Sequence, residues 1–214
     1  MKQRVQHAVR GFYGIVDWQG ADCQGAVNLA RQLIAGGAKT LQLRMKRADT
    51  RDLLWIGEAL RSLCRQEGRL FVVNDRLDVA MALGAEAVHL GQDDIPIESA
   101  RRICGHGMII GISTHNEQQA RAAEVAGADY IGVGPVFSTA SKENPDPVVG
   151  IARLSSICRV LKIPVVAIGG IDTENIFEVV RTGVRAAAVI SAVNGAKDPR
   201  RAAQEISSTF PSGI

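Results

Sequence analysis

The pentapeptide Gln42-Leu43-Arg44-Met45-Lys46 sets an amide and two cations at alternate positions. On an extended strand alternate side chains share a face, so Gln42, Arg44 and Lys46 would point one way and Leu43 and Met45 the other. If the apolar pair faces a layer of helices, the polar three face a common opening. Two cations held there call for an anionic ligand to offset their desolvation. Arginine grips phosphate oxygens in pairs through its planar fork, and lysine acts as a movable point charge. A strand end fraying into solvent with its charges hydrated suits the same residues, and both readings stand at this point.

Asn74-Asp75 and, one unit later, Gly91-Gln92-Asp93-Asp94 place carboxylates where neighbouring strands would end. Hard oxygen ligands with open positions suit Mg²⁺ bridging to a diphosphate. Helix N-capping is the competing use of Asp75 and Asp94. The segment Gly134 to Lys142 carries hydroxyls and a lysine and runs on through a polar stretch to Gly150. A loop of that length suits a lid over an anionic ligand as well as an ordinary surface excursion. Gly169-Gly170 lets the backbone approach a phosphate closely, and Ile190-Ser191 follows the next apolar run. Ser113 adds a hydroxyl after a further strand. His89, inside an apolar run, reads as a packed core histidine rather than a base. Neither His115 nor the cysteines carry an assigned role, and no Ser-His-Asp arrangement is legible.

These residues need elements that bring them to one place. Short strand-like runs recur at Tyr13–Val16, Thr40–Arg44, Leu70–Asn74, Ala87–Leu90, Met108–Gly111, Tyr130–Val133, Val165–Ile168 and Ala187–Ile190. Between several of them lie segments of helical period: Ala26–Ala35, Asp52–Gln66, Asn116–Ala126 and Thr173–Arg181. Strand-then-helix alternation predicts parallel βαβ units. Glycines at Gly36-Gly37, Gly84, Gly127 and Gly183 fall where helices should end. About eight such units closing on themselves give a single-domain (β/α)8 TIM barrel over residues 1–214, with its core from about Gly11 to about Ile206 and a tail from Ser207 that frays. An open doubly wound sheet is the alternative, but the first turn, Asp17-Trp18-Gln19-Gly20, lacks the dinucleotide fingerprint. In a barrel the active site lies at the C-terminal strand ends, where the polar residues gather.

Composition narrows the function classes. The 214 residues are 46% hydrophobic and 22% charged, as in ordinary globular chains. A net charge of +3, without basic runs, argues against nucleic acid and leaves room for small anionic substrates. Cys23, Cys64, Cys104 and Cys158 are too scattered for a metal or redox motif and read as reduced thiols. The N-terminus lacks a signal-peptide pattern and no run is long enough to span a membrane, so a cytoplasmic protein is expected. A homo-oligomer is compatible with all of this.

Taken together, the chain resembles the thiamine-phosphate synthase (thiamine-phosphate pyrophosphorylase) family from about Gly11 to about Ile206. The matching signatures are Gln42-Leu43-Arg44-x-Lys46, Val73-Asn74-Asp75, His89-Leu90-Gly91-Gln92-x-Asp94, Gly111-Ile112-Ser113, Gly132-x-Gly134-Pro135-x-Phe137-x-Thr139-x-Ser141-Lys142, Ile168-Gly169-Gly170-Ile171 and Ile190-Ser191. The resemblance implies a transferase of thiamine biosynthesis that joins hydroxymethylpyrimidine diphosphate to a thiazole phosphate, giving thiamine phosphate and pyrophosphate. It implies that Gln42 holds the pyrimidine, and that Arg44, Lys46, Asn74, Ser113 and Lys142 surround the diphosphate. By the same resemblance Asp75 and Asp94 bind Mg²⁺, and Thr139, Ser141, Gly170, Ile190 and Ser191 line the thiazole-phosphate pocket. Arg44, Lys46, Ser113 and Lys142 are the residues expected to act in catalysis.

Two departures stand out. Met45 occupies a position where the family commonly has glutamate, and by alternation it faces away from the opening. Thr139-Ala140-Ser141-Lys142 replaces a Thr-x-Thr-Lys pattern while keeping both hydroxyls. Three rivals share the barrel. A thiazole tautomerase has no diphosphate to expel. A sugar-phosphate epimerase or an indole-forming synthase would use acid–base groups such as Lys39 or Lys46. A binding-only barrel would carry out no reaction at all.

Overall fold

Every expected apolar run becomes a strand: β1 Gly11–Asp17, β2 Thr40–Arg44, β3 Leu70–Asn74, β4 Ala87–Leu90, β5 Ile109–Thr114, β6 Tyr130–Val133, β7 Val165–Ile168 and β8 Ala186–Val189. In this computed structural model, which describes residues 5, 7–19, 22–139 and 146–211, they close in sequence order into a parallel (β/α)8 barrel. The helices are α1 Cys23–Ala35, α2 Thr50–Gln66, α3 Leu77–Leu83, α4 Ile97–Cys104, α5 Glu117–Val125, α6 Gly150–Val160, α7 Ile176–Arg181, α8 Ser191–Asn194 and α9 Pro199–Ser208. Asp49, Asn116 and Asp198 cap α2, α5 and α9 by accepting a backbone N–H from the first turn. The glycines expected at helix ends, Gly37, Gly84, Gly127 and Gly183, all take positive φ.

Alternation along the strands divides the apolar residues into two cores. Leu41, Leu43, Phe71, Val73, Val88, Leu90, Ile110 and Ile131 face outward beneath the helices. Tyr13, Ile15, Leu70, Val72, Ala87, Ile109, Tyr130, Val166, Ala186 and Ala188 fill the barrel itself. The interior is therefore packed, and only its upper rim is left for chemistry.

Several boundaries shift by one to three residues from the sequence pattern, and two of the shifts bear on the site or the core. β5 runs on to Thr114 instead of ending at Gly111, so Ser113 is a strand residue. The extension is stabilised by outward Ile112 and by Thr114, whose hydroxyl donates to the Gly132 carbonyl at 3.1 Å. At the C-terminus α9 continues through Ser207 and Ser208, where fraying was expected. Ala203 and Ile206 are buried, and Gly36 lets Ala203 close on α1, because a Cβ on Gly36 would lie 2.4 Å from that of Ala203. Among the described residues, no helix is long and apolar enough to cross a membrane.

Candidate active site

The β2 alternation holds. Leu43 is fully buried and Met45 is 7% exposed in the outer core, while Gln42 lies inside the barrel at 3%. Arg44 follows Gln42 on the inner face and meets Asp17, its register neighbour at the end of β1. Arg44 Nη1 donates to both oxygens of that carboxylate at 2.8 Å, leaving Nε and Nη2 outside the pair. Sequence reasoning missed Asp17. Its signal was the inward alternation that it shares with Tyr13 and Ile15.

Lys46 reaches the carboxylate of Asp75 at 2.5 Å. Asp75 follows β3 with a positive φ of 63°, a conformation that short polar side chains tolerate better than most. Its backbone N–H donates to the His89 carbonyl at 2.8 Å, fixing it beside β4. Asp94 accepts the Gly91 N–H at 2.6 Å and comes within hydrogen-bonding reach of Asp75. Burial pushes the Asp94 carboxyl above the usual range, and Asp75 adds to that rise, while the Gly91 N–H and Lys46 oppose it. Neither aspartate caps a helix: Arg76 and Pro96 hold the N-cap positions of α3 and α4.

Two crowded carboxylates at the end of a barrel are a donor set for a hard divalent cation. Among the described residues no group of three or more His, Cys, Asp or Glu side chains converges. A pair suits Mg²⁺, which takes one or two carboxylates and fills its remaining positions with water and phosphate oxygens. Asn74 ends β3 beside His89 in register, half-buried at the same rim.

Across the mouth the wall is made of main chain. Beyond β6 the Val136 N–H donates to the Ile168 carbonyl at 2.9 Å and the Phe137 N–H to that of Gly169 at 3.0 Å. This contact needs glycine: a Cβ on Gly134 would sit 2.2 Å from the Ile168 oxygen, and one on Gly170 would sit 2.5 Å from that of Ser138. Asn175 steadies the turn by donating to the Gly170 carbonyl at 2.8 Å. Ile190 lines the top of the inner core and Ser191 opens α8, exposed at the rim. Thr139 lies at the far end of the segment after β6, and Ser141 and Lys142 fall outside the described residues. Where the chain resumes, Asp146 lies 3.4 Å from His115 Nε2, and His115 Nδ1 contacts the Gly134 carbonyl at 2.6 Å. His115, given no role from sequence, thus ties the two stems of that loop.

Between the two walls runs a polar chain. Gln42 Nε2 donates to the Tyr13 hydroxyl at 2.7 Å, which lies 3.1 Å from that of Tyr130. The Tyr130 oxygen is 3.0 Å from His89 Nδ1, and His89 Nε2 is 2.9 Å from Ser113 Oγ. Gly111 and Gly132 make room for the rings, since a Cβ on either would lie 2.1 Å from Tyr130 and 3.1 Å from His89 respectively. Burial lowers the His89 imidazole to about 4 against the opposing pull of Asp75, and burial raises both tyrosines. His89, expected as a packed core residue, is only part-buried on the inner face, and both its nitrogens are engaged. Lys39 precedes β2 and so lies at the opposite end of the barrel, where burial, Arg69 and Arg10 lower its pKa. It has no access to the rim.

The family model described as thiamine monophosphate synthase matches residues 12–193. A thiamine-phosphate synthase of Chlorobium phaeovibrioides is 48% identical over 188 residues, covering 88% of this chain and 90% of its own. The solved thiamine phosphate pyrophosphorylase of Pyrococcus furiosus superposes with a TM-score of 0.86 at 42% identity, covering 96% of each chain. A 3-hexulose-6-phosphate synthase from Salmonella typhimurium shares the fold, at a TM-score of 0.69 and 16% identity, covering 93% of this chain and 97% of its own.

Proposed function

The chain belongs to the thiamine-phosphate synthase family, and from that premise we propose how its barrel mouth carries out the transfer. The activity is thiamine-phosphate synthesis, a transferase reaction on phosphorylated small molecules. In our reading the substrates are hydroxymethylpyrimidine diphosphate and a thiazole phosphate. The observation that carries the site is the convergence of Lys46, Asp75 and Asp94 at the ends of three consecutive strands.

The pyrimidine rests against Gln42. Arg44, Lys46, Asn74, Ser113 and Lys142 surround its diphosphate. Asp75 and Asp94 would hold Mg²⁺, which when bound would supply positive charge against the diphosphate. The thiazole phosphate sits against Thr139, Ser141, Gly170, Ile190 and Ser191. Pyrophosphate leaves first, the electron-rich ring carries the resulting benzyl-like cation, and the thiazole nitrogen attacks it. No protein nucleophile is required. The protein supplies charge to the leaving group, holds the two rings at attack distance and keeps out water that would trap the cation. We read residues 1–214 as one domain working in the cytoplasm, consistent with its four unpaired cysteines.

The test is to mix the protein with both substrates and follow thiamine phosphate and pyrophosphate, with and without Mg²⁺ and with Lys142→Ala alongside. Mg²⁺-dependent product, lost in the variant, is expected. Pyrimidine diphosphate left intact by folded protein would overturn the substrate assignment. Full activity in chelator would overturn the Mg²⁺ assignment.

A further inference from the structure

The polar chain from Gln42 to Ser113 has a direction, set by the Gln42 amide orientation and a count of hydrogens. Gln42 Nε2 has only hydrogens to give, so Tyr13 Oη accepts. Tyr13 is 1% exposed, and among the described residues its own hydrogen has one acceptor in reach, the Tyr130 oxygen. Tyr130, at 0% exposure, must then pass its hydrogen to His89 Nδ1. With Nδ1 accepting, the ring hydrogen sits on Nε2 and is donated to Ser113 Oγ. The Ser113 hydrogen is left to point at the mouth.

With the Gln42 amide in this orientation, any other proton placement strands a buried hydroxyl. If His89 carried a hydrogen on Nδ1, Tyr130 would have to donate to Tyr13, and the Tyr13 hydrogen would have no acceptor. A buried group stranded in that way forfeits its hydrogen bond to water with nothing in return. Turning the Gln42 amide over would reverse every link and leave Ser113 donating inward to His89. The amide on β2 and the hydroxyl on β5, on opposite sides of the mouth, are therefore one variable.

We propose that Tyr13, Tyr130 and His89 are positioning residues, a buried relay that locks Gln42 and Ser113 into a single polarity. Gln42 then turns its carbonyl oxygen to the bound ring, and Ser113 turns its O–H to the anionic leaving group. The relay rests on the substrate placement proposed above, in which these two residues face the pyrimidine diphosphate. It accounts for two tyrosines and a histidine beside Gln42 in a barrel interior whose apolar residues are otherwise aliphatic. Linked in series, the bonds also polarise one another.

The first measurement is the His89 tautomer in ligand-free, ¹⁵N-histidine-labelled protein, with the signal identified by its loss in His89→Asn. A single neutral Nε2–H form is expected. Tyr130→Phe keeps the ring packing but removes the donor to Nδ1, so both tautomers should become populated. In turnover, Ser113→Ala should lower kcat about tenfold or more in wild-type protein, the weight of one charge-assisted hydrogen bond. In the Tyr130→Phe background the same change should cost about twofold or less, because the hydroxyl is no longer aimed. An Nδ1–H or doubly protonated His89 would overturn the relay, as would fully multiplicative losses. An intact Nε2–H signal in protein that makes no thiamine phosphate would sink the substrate placement alone.

Discussion

From β2 to β4 the rim carries Arg44, paired with Asp17 of β1, and Lys46, Asp75 and Asp94, charged side chains that leave the backbone unremarkable except at Asp75. From β6 to β8 the rim carries Gly134, Gly169 and Gly170, where backbone meets backbone too closely for any side chain. One wall grips by charge and the other by shape. A charged wall suits the end of the substrate where negative charge builds during reaction, since its worth rises with that charge. A main-chain wall suits a group whose charge does not change, because it supplies a fixed outline. Substitutions should therefore act on turnover at the first wall and on binding at the second.

The strongest test of that division is Asp75→Asn. Asparagine keeps both the shape and the tolerance for positive φ, so folding should be preserved while the carboxylate is lost. The expected loss in kcat is about 10²- to 10³-fold, the range for removing one element of transition-state charge stabilisation. The melting temperature should move little. A variant that turned over normally with a raised KM would place Asp75 in ground-state binding and break the comparison.

Gly170→Ala probes the opposite wall. The added Cβ would meet the Ser138 oxygen at 2.5 Å and the Phe137 Cβ at 2.7 Å, at a φ of 67°. Strain of that kind costs about 1–3 kcal/mol, part of which should appear as lower stability. The rest should raise KM for the thiazole phosphate by about tenfold with kcat nearly unchanged. A fall in kcat at constant KM would show that this wall also follows charge development.

Between the walls, His89 gives a smaller and pH-dependent effect. Its imidazole is held near 4 by burial, below the ordinary 6.5. The unfolded chain therefore binds the extra proton first as pH falls through 6.5, and stability is lost from there down to about 4. Between pH 7 and pH 5 the loss should be about 1–2 kcal/mol, read as a falling melting temperature in chelator-treated protein. His89→Asn should flatten that slope. An unchanged slope would mean that other groups carry the acid sensitivity.

Legibility in the sequence followed the same division. The charged wall was readable because Gln42, Arg44 and Lys46 alternate with Leu43 and Met45, and because Asp75 and Asp94 end neighbouring strands. Their side chains declare both type and direction. The strands were readable for the same reason, apart from β5, where Gly111 and Ser113 on the inner face obscured the pattern. The relay was not readable. Tyr13 and Tyr130 look like ordinary apolar strand residues, and only the closure of β1 against β8 brings β1, β4 and β6 around one axis. Asp17 was hidden likewise, since its partner is 27 positions away and met only through strand pairing. The glycine contacts between the β6 and β7 loops depend on distances that no local pattern encodes.

The smallest expected effect concerns Asp17 and separates two uses of Arg44. The pair is mostly buried, with side chains 16% and 18% exposed, so Asp17→Asn leaves a guanidinium short of its counter-charge. Partial solvation keeps the cost to about 1–2 kcal/mol, well below that of a fully buried pair. Turnover at saturation should change by about threefold or less, since a bound diphosphate brings charge of its own. That compensation is measurable without any reaction. If Arg44 faces the diphosphate, pyrophosphate with Mg²⁺ should raise the melting temperature of the variant more than that of the wild-type protein, because the anion replaces what Asp17 supplied. Equal shifts would mean that Arg44 serves only to pin β1 to β2. The charged wall would then begin at Lys46, with Arg44 acting as a strut beneath it.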